Sequence, residues 1–80
     1  MPTPFVDAVE TGRRIQRLRH RAGLTQQAMA YEAGLSTRTV AKVENGSGAS
    51  LGTLRALADV LGATPNQLLA WRPRVGGNGR

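Results

Sequence analysis

Thr25-Gln26-Gln27-Ala28-Met29-Ala30-Tyr31-Glu32-Ala33-Gly34-Leu35-Ser36-Thr37-Arg38-Thr39-Val40-Ala41-Lys42-Val43-Glu44-Asn45-Gly46 is the stretch on which the fold turns. Thr25 reads as the N-cap of a short helix, Gln26 to Ala33, whose inward residues are Met29, Ala30 and Ala33. Gly34 ends that helix, because a tight reversal needs a residue that tolerates positive φ. Ser36 or Thr37 then caps a second helix that turns Val40 and Val43 inward and stops at Asn45-Gly46. Two helices joined so tightly cross closely only if the first offers a small side chain at the crossing, and Ala30 is that residue. Each feature alone is common in helical proteins, whereas the joint spacing of Ala30, Gly34, Val40 and Val43 is specific.

Upstream, apolar spacing predicts a helix from Val6 or Asp7 to Ala22, with Thr11, Ile15, Leu18 and Ala22 on one face, Arg13 and Arg17 opposite, and Gly23 as its stop. Downstream, Gly46 to Ala49 reads as a loop. Ser50 then caps a helix from Leu51 to Leu61 that carries Leu51, Leu54, Leu57, Ala58 and Leu61 as an apolar stripe before Gly62. Thr64-Pro65-Asn66-Gln67 has the form of a capping box with Pro at the first helical position, and it starts a short fifth helix through Leu68, Leu69 and Ala70. Apolar residues recur at helical rather than alternating spacing, so the expected class is all-α, a compact five-helix bundle. Residues 1–5, with Pro2 and Pro4, read as a flexible lead-in, 6–71 as one domain, and the Gly-rich 72–80 as a disordered basic tail.

Eighty residues hold one small core and no cleft framed by separate lobes. Cysteine is absent, which excludes disulfides and thiolate metal sites. His20 is the only histidine, and Asp7, Glu10, Glu32, Glu44 and Asp59 are scattered, so neither a metal nor any other cofactor is expected. Ser36, Ser47 and Ser50 have no histidine and acid partners, and no phosphate-cradling glycine loop follows a strand, so the reading is not an enzyme. Apolar runs fall far short of the roughly 20 residues a bilayer span needs, and the N-terminus lacks the basic and apolar segments of a secretory signal. A cytoplasmic location without membrane association is expected. Eleven Lys plus Arg against five Asp plus Glu give a net charge of +6, which suits a polyanionic partner, nucleic acid first and an anionic membrane second.

The close crossing pushes the second helix outward so that its N-terminal half can enter a major groove, the geometry of a helix-turn-helix over about 25–46. From Arg19 to Gln26 (Arg-x-x-x-Gly-Leu-Thr-Gln), through Gly34-Leu35-Ser36, Val40 and Glu44-Asn45-Gly46 to the Leu-rich helix ending in Leu61-Gly62, the chain resembles the phage repressor and Cro-like (Xre-type) family. The resemblance covers about residues 11–70. It implies a lambda-repressor-like five-helix bundle that binds operator DNA as a two-fold dimer. It further implies that Thr37, Arg38 and Lys42 read base edges, with Ser36 and Ala41 at the groove margin. The chemistry agrees, since Arg38 can reach guanine O6 and N7 as a bidentate donor and Ala41 can touch a thymine methyl. Gln26, Gln27 and Asn45 are the expected phosphate contacts. In the family, the residues matching Arg19 and Glu44 form an ion pair between the first helix and the end of the recognition helix, so both are assigned to architecture.

Bland readings stand beside these. Arg38 and Lys42 could form a merely solvated helix face, and Trp71 could fold back over the end of the core instead of joining Leu69 in a dimer contact. The expected function is a sequence-specific double-stranded DNA-binding transcriptional regulator, a repressor on a palindromic operator. The alternatives are an antitoxin-type autoregulator that also holds a protein toxin, and a protein-interaction or coactivator module on the same scaffold. Most of the surplus charge lies outside the motif, on Arg13, Arg14, Arg17, Arg19 and Arg21 and on Arg72, Arg74 and Arg80. Those arginines are expected to set non-specific affinity and salt sensitivity rather than operator choice.

Overall fold

Each α-helix of the described residues begins on a side-chain oxygen that accepts a hydrogen bond from the backbone N–H three residues ahead; Asp7, Thr25, Ser36, Ser50 and Thr64 serve in turn. A cap of this kind satisfies one orphan donor of the first turn and contributes about 1 kcal/mol. The computed structural model describes residues 4–73. Along them run β1 (Phe5–Val6), α1 (Ala8–Arg21), α2 (Gln26–Ala33), α3 (Thr37–Glu44), α4 (Leu51–Leu61), α5 (Pro65–Leu68) and β2 (Trp71–Arg72). At Thr64 the capping box is reciprocal, with the Gln67 side chain accepting from the Thr64 N–H.

Ile15 of α1, Met29 and Ala30 of α2, Val40 and Val43 of α3, Leu54, Leu57 and Ala58 of α4 and Leu68 of α5 bury one another in a single core. The helix spacing read from the sequence supplies nearly all of it. Gly12, inside α1, lets that helix lie directly on the backbone that ends α3.

Several expectations are corrected. A first helix from Val6 or Asp7 is cut back, since Asp7 is its cap and Val6 belongs to β1. Ala22, expected inward, is its exposed C-cap. Leu51, expected in the apolar stripe, is 56% exposed, because the face of α4 that meets the core begins at Leu54. The fifth helix stops at Leu68, and Leu69 is extended. The chain then returns to α1: the Ala70 N–H donates to the buried Thr11 Oγ1 at 3.0 Å, and the Ala70 carbonyl accepts from the Asp7 N–H at 2.7 Å.

That return brings β2 antiparallel to β1, with Phe5 opposite Arg72 and Val6 opposite Trp71. The helical bundle therefore carries a two-stranded clasp that an all-α reading leaves out, and Phe5 and Arg72 join the fold instead of a free lead-in and tail. Arg72 Nε also donates to Asp7 Oδ2 at 2.9 Å. The remaining parts of the expected lead-in and tail, residues 1–3 and 74–80, lie outside the described residues.

Candidate nucleic-acid interface

The turn between α2 and α3 is built by Gly34 and Leu35. Gly34 takes the left-handed conformation (φ 71°), and its N–H and that of Leu35 both return to the last turn of α2, the Leu35 N–H reaching the Ala30 carbonyl at 2.8 Å. The next residue, Ser36, already caps α3: its Oγ accepts from the Thr39 N–H at 3.0 Å and pairs with Thr39 Oγ1 at 2.9 Å. Nothing in this connection is slack.

Val40 and Val43 are buried against Met29 and Ala30, and residues four apart share a helix face. Arg38 and Lys42 are therefore on the outer face; both are exposed, as is Thr37 at the start of the helix, and Ala41 is half-buried. Arg38 and Lys42 stand one turn apart, and neither forms an ion pair among the described residues. The charge of this face is open to an incoming ligand. Beside it runs a groove of about 310 Å³ between α3 and α4, bounded by Lys42 and by the hydroxyl-bearing Ser47, Ser50 and Thr53. Reading residues 46–49 as a mere loop missed this groove, since hydroxyls at loop and cap positions carry no periodic signal.

The far end of α3 is anchored. Arg19 Nε donates to Glu44 Oε2 at 2.6 Å and Arg19 Nη2 to Glu44 Oε1 at 2.9 Å, a bidentate grip, while Arg19 Nη1 holds the Leu24 carbonyl at 2.9 Å. The hydrogen bond to Glu44 raises the Arg19 pKa above its usual range, against the opposing effect of burial. Gln26 joins this cluster, its Nε2 donating to Glu44 Oε1 at 3.0 Å. A Gln26 side chain turned outward to a phosphate is thus replaced by one turned inward to a carboxylate, because Glu44 has a lone pair left and lies next to the start of α2. Gln27 and Asn45 are exposed.

Leu69 and Trp71 lie apart from this surface in the chain's return to α1. Leu69 is half-buried, and its carbonyl accepts from Arg14 Nη1 at 2.9 Å. Trp71 is 52% exposed and directly across the clasp from Val6, with its indole N–H on Asn66 Oδ1 at 3.2 Å. Among the described residues no three His, Cys, Asp or Glu side chains gather as a metal site would need. No helix there is long and apolar enough to cross a membrane.

A family model described as a helix-turn-helix domain matches residues 10–71. The chain belongs to the helix-turn-helix domain family. Among solved structures this helix-turn-helix chain is similar to the restriction-modification controller protein C.AhdI from Aeromonas hydrophila, at 36% identity and a TM-score of 0.74 over 78% of this chain and 96% of that one. It is also similar to the P22 c2 repressor protein in complex with a synthetic operator, at 27% identity and a TM-score of 0.70 over 74% and 91% of the two chains. These are relatives of the repressor and controller type that the motif residues resemble. The helix-turn-helix fold recurs within HppE as well, where 80% of this chain matches 36% of that chain at 26% identity and a TM-score of 0.71. The fold by itself therefore fixes no single activity. No curated protein sequence matches the chain.

Proposed function

We propose that this helix-turn-helix chain is a sequence-specific double-stranded DNA-binding transcriptional regulator, a cytoplasmic repressor that occupies a palindromic operator as a homodimer and catalyses no reaction. The observation that carries the reading is the outer face of α3. Arg38 and Lys42 project there one turn apart without a carboxylate partner among the described residues, while the opposite face of the same helix is locked into the core and onto Arg19. A cationic face held this rigidly suits readout of base edges, because the side chains are positioned before the ligand arrives.

In this reading Thr37, Arg38 and Lys42 meet bases, and Ser36 and Ala41 border the groove. Gln27 and Asn45 meet phosphates, with Gln26 contributing through the start of α2 instead of through its amide. That the similar P22 c2 repressor is in complex with a synthetic operator supports DNA as the ligand. The dimer contact is placed at Trp71 and Leu69, with Val6 beside Trp71 enlarging the apolar area.

Selection of bound sequences from random duplexes, followed by gel shift at fixed salt, tests the reading. The expected site is symmetric, with half-sites about 10 bp apart and a guanine facing Arg38. Arg38→Ala and Lys42→Ala should each lose about 1–3 kcal/mol of discrimination at the bases they meet. If both variants keep full affinity for the selected site, the assignment to bases is wrong, and an asymmetric site would rule out the two-fold dimer.

A further inference from the structure

Five of the arginines lie on α1, yet that helix presents them on different flanks. Residues two apart on a helix point about 200° apart, so Arg14 and Arg21 lie on the flank opposite Gly12 and Arg19, the residues that pack α1 against α3. On that second flank is a groove of about 390 Å³ between α1 and the turn that joins α4 to α5. Arg14, Arg17 and Arg21 edge it, and Leu18, Leu61 and Ala63 give it an apolar floor. Along the helix axis the three guanidinium-bearing positions span about 10 Å.

Each of the three keeps guanidinium N–H donors beyond those the fold engages. Arg14 Nη1 holds the carbonyls of Gln67 at 3.3 Å and Leu69 at 2.9 Å, which fixes it at the rim as a cation without an ion-pair partner among the described residues. Arg17 shares Glu10 through one nitrogen. Arg21 forms no ion pair among the described residues. No residue edging the groove comes from α2, α3 or the α3–α4 loop, so a molecule seated there leaves the outer face of α3 uncovered.

We propose that this groove seats an acidic segment of a second protein, with carboxylates on Arg14, Arg17 and Arg21 and an apolar side chain on the floor of Leu18, Leu61 and Ala63. Charge complementarity selects an acidic occupant, and the floor selects a peptide. A phosphate backbone answers the guanidinium groups but has nothing to cover the leucines, whereas an amphipathic acidic segment brings both. The groove is thus a docking site for a partner that can ride on the protein while α3 is occupied, and it stands whether or not α3 reads DNA.

The probe is a fluorescein-labelled helical peptide with glutamates at i, i+4 and i+7 around leucines, titrated into the full chain with anisotropy and amide NMR as readouts. Saturable binding is expected, with shifts at Arg14, Arg17, Arg21, Leu61 and Ala63. Arg21→Glu should weaken it about tenfold or more, while Arg38→Ala leaves it unchanged. Arg17→Gln, which adds no like charge, should weaken it severalfold and keeps the test sound should Arg21→Glu unfold. Absence of binding overturns the proposal, as does equal binding of the glutamine version of the peptide. Displacement by inorganic polyphosphate or by an arbitrary DNA duplex at matched charge also overturns it, since the groove would then be a general anion or nucleic-acid surface.

Discussion

The carbonyl oxygen of Val43 stands 2.4 Å from where the Cβ of any other residue at position 12 would go, and the Glu44 carbonyl oxygen stands 2.8 Å from it. Both neighbours are backbone, so neither can rotate away. Alanine is the better helix former by about 1 kcal/mol, yet Gly12→Ala must push α1 off the end of α3. Net destabilisation of about 1–3 kcal/mol is expected, read from the midpoint of urea unfolding. A gain in stability would mean that the two helices do not approach this closely.

Glu44 is held by Arg19 and Gln26 at a site where the side chains of the ion pair are only 8% and 2% exposed. Glu44→Ala strands the guanidinium and should cost about 3–5 kcal/mol, whereas replacing both partners by apolar residues, Arg19→Met with Glu44→Leu, should cost far less. Chemical denaturation of the two proteins side by side decides it. Equal losses would mean the pair contributes directly to stability.

Gln26 and Gln27 are adjacent in sequence, one bonded inward to Glu44 and the other exposed. Gln26→Ala removes a hydrogen bond to a buried carboxylate and should cost about 1.5–3 kcal/mol of stability. Gln27→Ala should leave the unfolding midpoint within about 0.5 kcal/mol of the parent and weaken DNA binding uniformly across sequences. Thermal melts and gel shifts on the pair separate these outcomes, and an unshifted melt for Gln26→Ala would contradict its inward placement.

Asp7 caps α1 and accepts from Arg72; the bond from the Glu10 N–H, then that from Arg72, holds its carboxyl below the ordinary 3.8. A carboxylate lowered in the folded state stabilises fully above the unfolded value, and the contribution fades as pH falls through the folded one. Trp71, next to Arg72 in β2, should therefore report a change in emission only below about pH 4. Asp7→Asn keeps a good cap but cannot pair with Arg72 as an ion, so this variant should lack that acid-dependent part. An unchanged acid titration in the variant would assign the transition to other groups, Glu10 first, since its carboxyl is lowered by Arg17.

What the sequence made legible was local. Thr25, Ser50 and Thr64 could be read as caps, and Ser36 as one of two candidates beside Thr37, because each acts on a backbone N–H three residues away, and the outer face of α3 followed from the two valines on its inner one. The clasp could not be read, because two-residue strands carry no periodicity and their partners come from opposite ends of the domain. The bond from Gln26 to Glu44 could not be read for a similar reason, since that carboxylate is 18 residues away. Gly12 did leave a signal, as a glycine inside a helix pattern is unfavourable unless something packs against it. What it packs against could not be named before α3 was placed.

Phe5 and Arg72 are partners across the clasp, so their Cα atoms lie about 5 Å apart. The polypeptide therefore enters and leaves the domain through one doorway. The domain can be spliced into a surface loop of a larger chain with both joints at a single point, or its two ends can be bridged by a few residues and the chain reopened at Gly48 with the helices undisturbed. Any cargo joined directly at Phe5 or at Arg72 would be tethered from the same side of the domain.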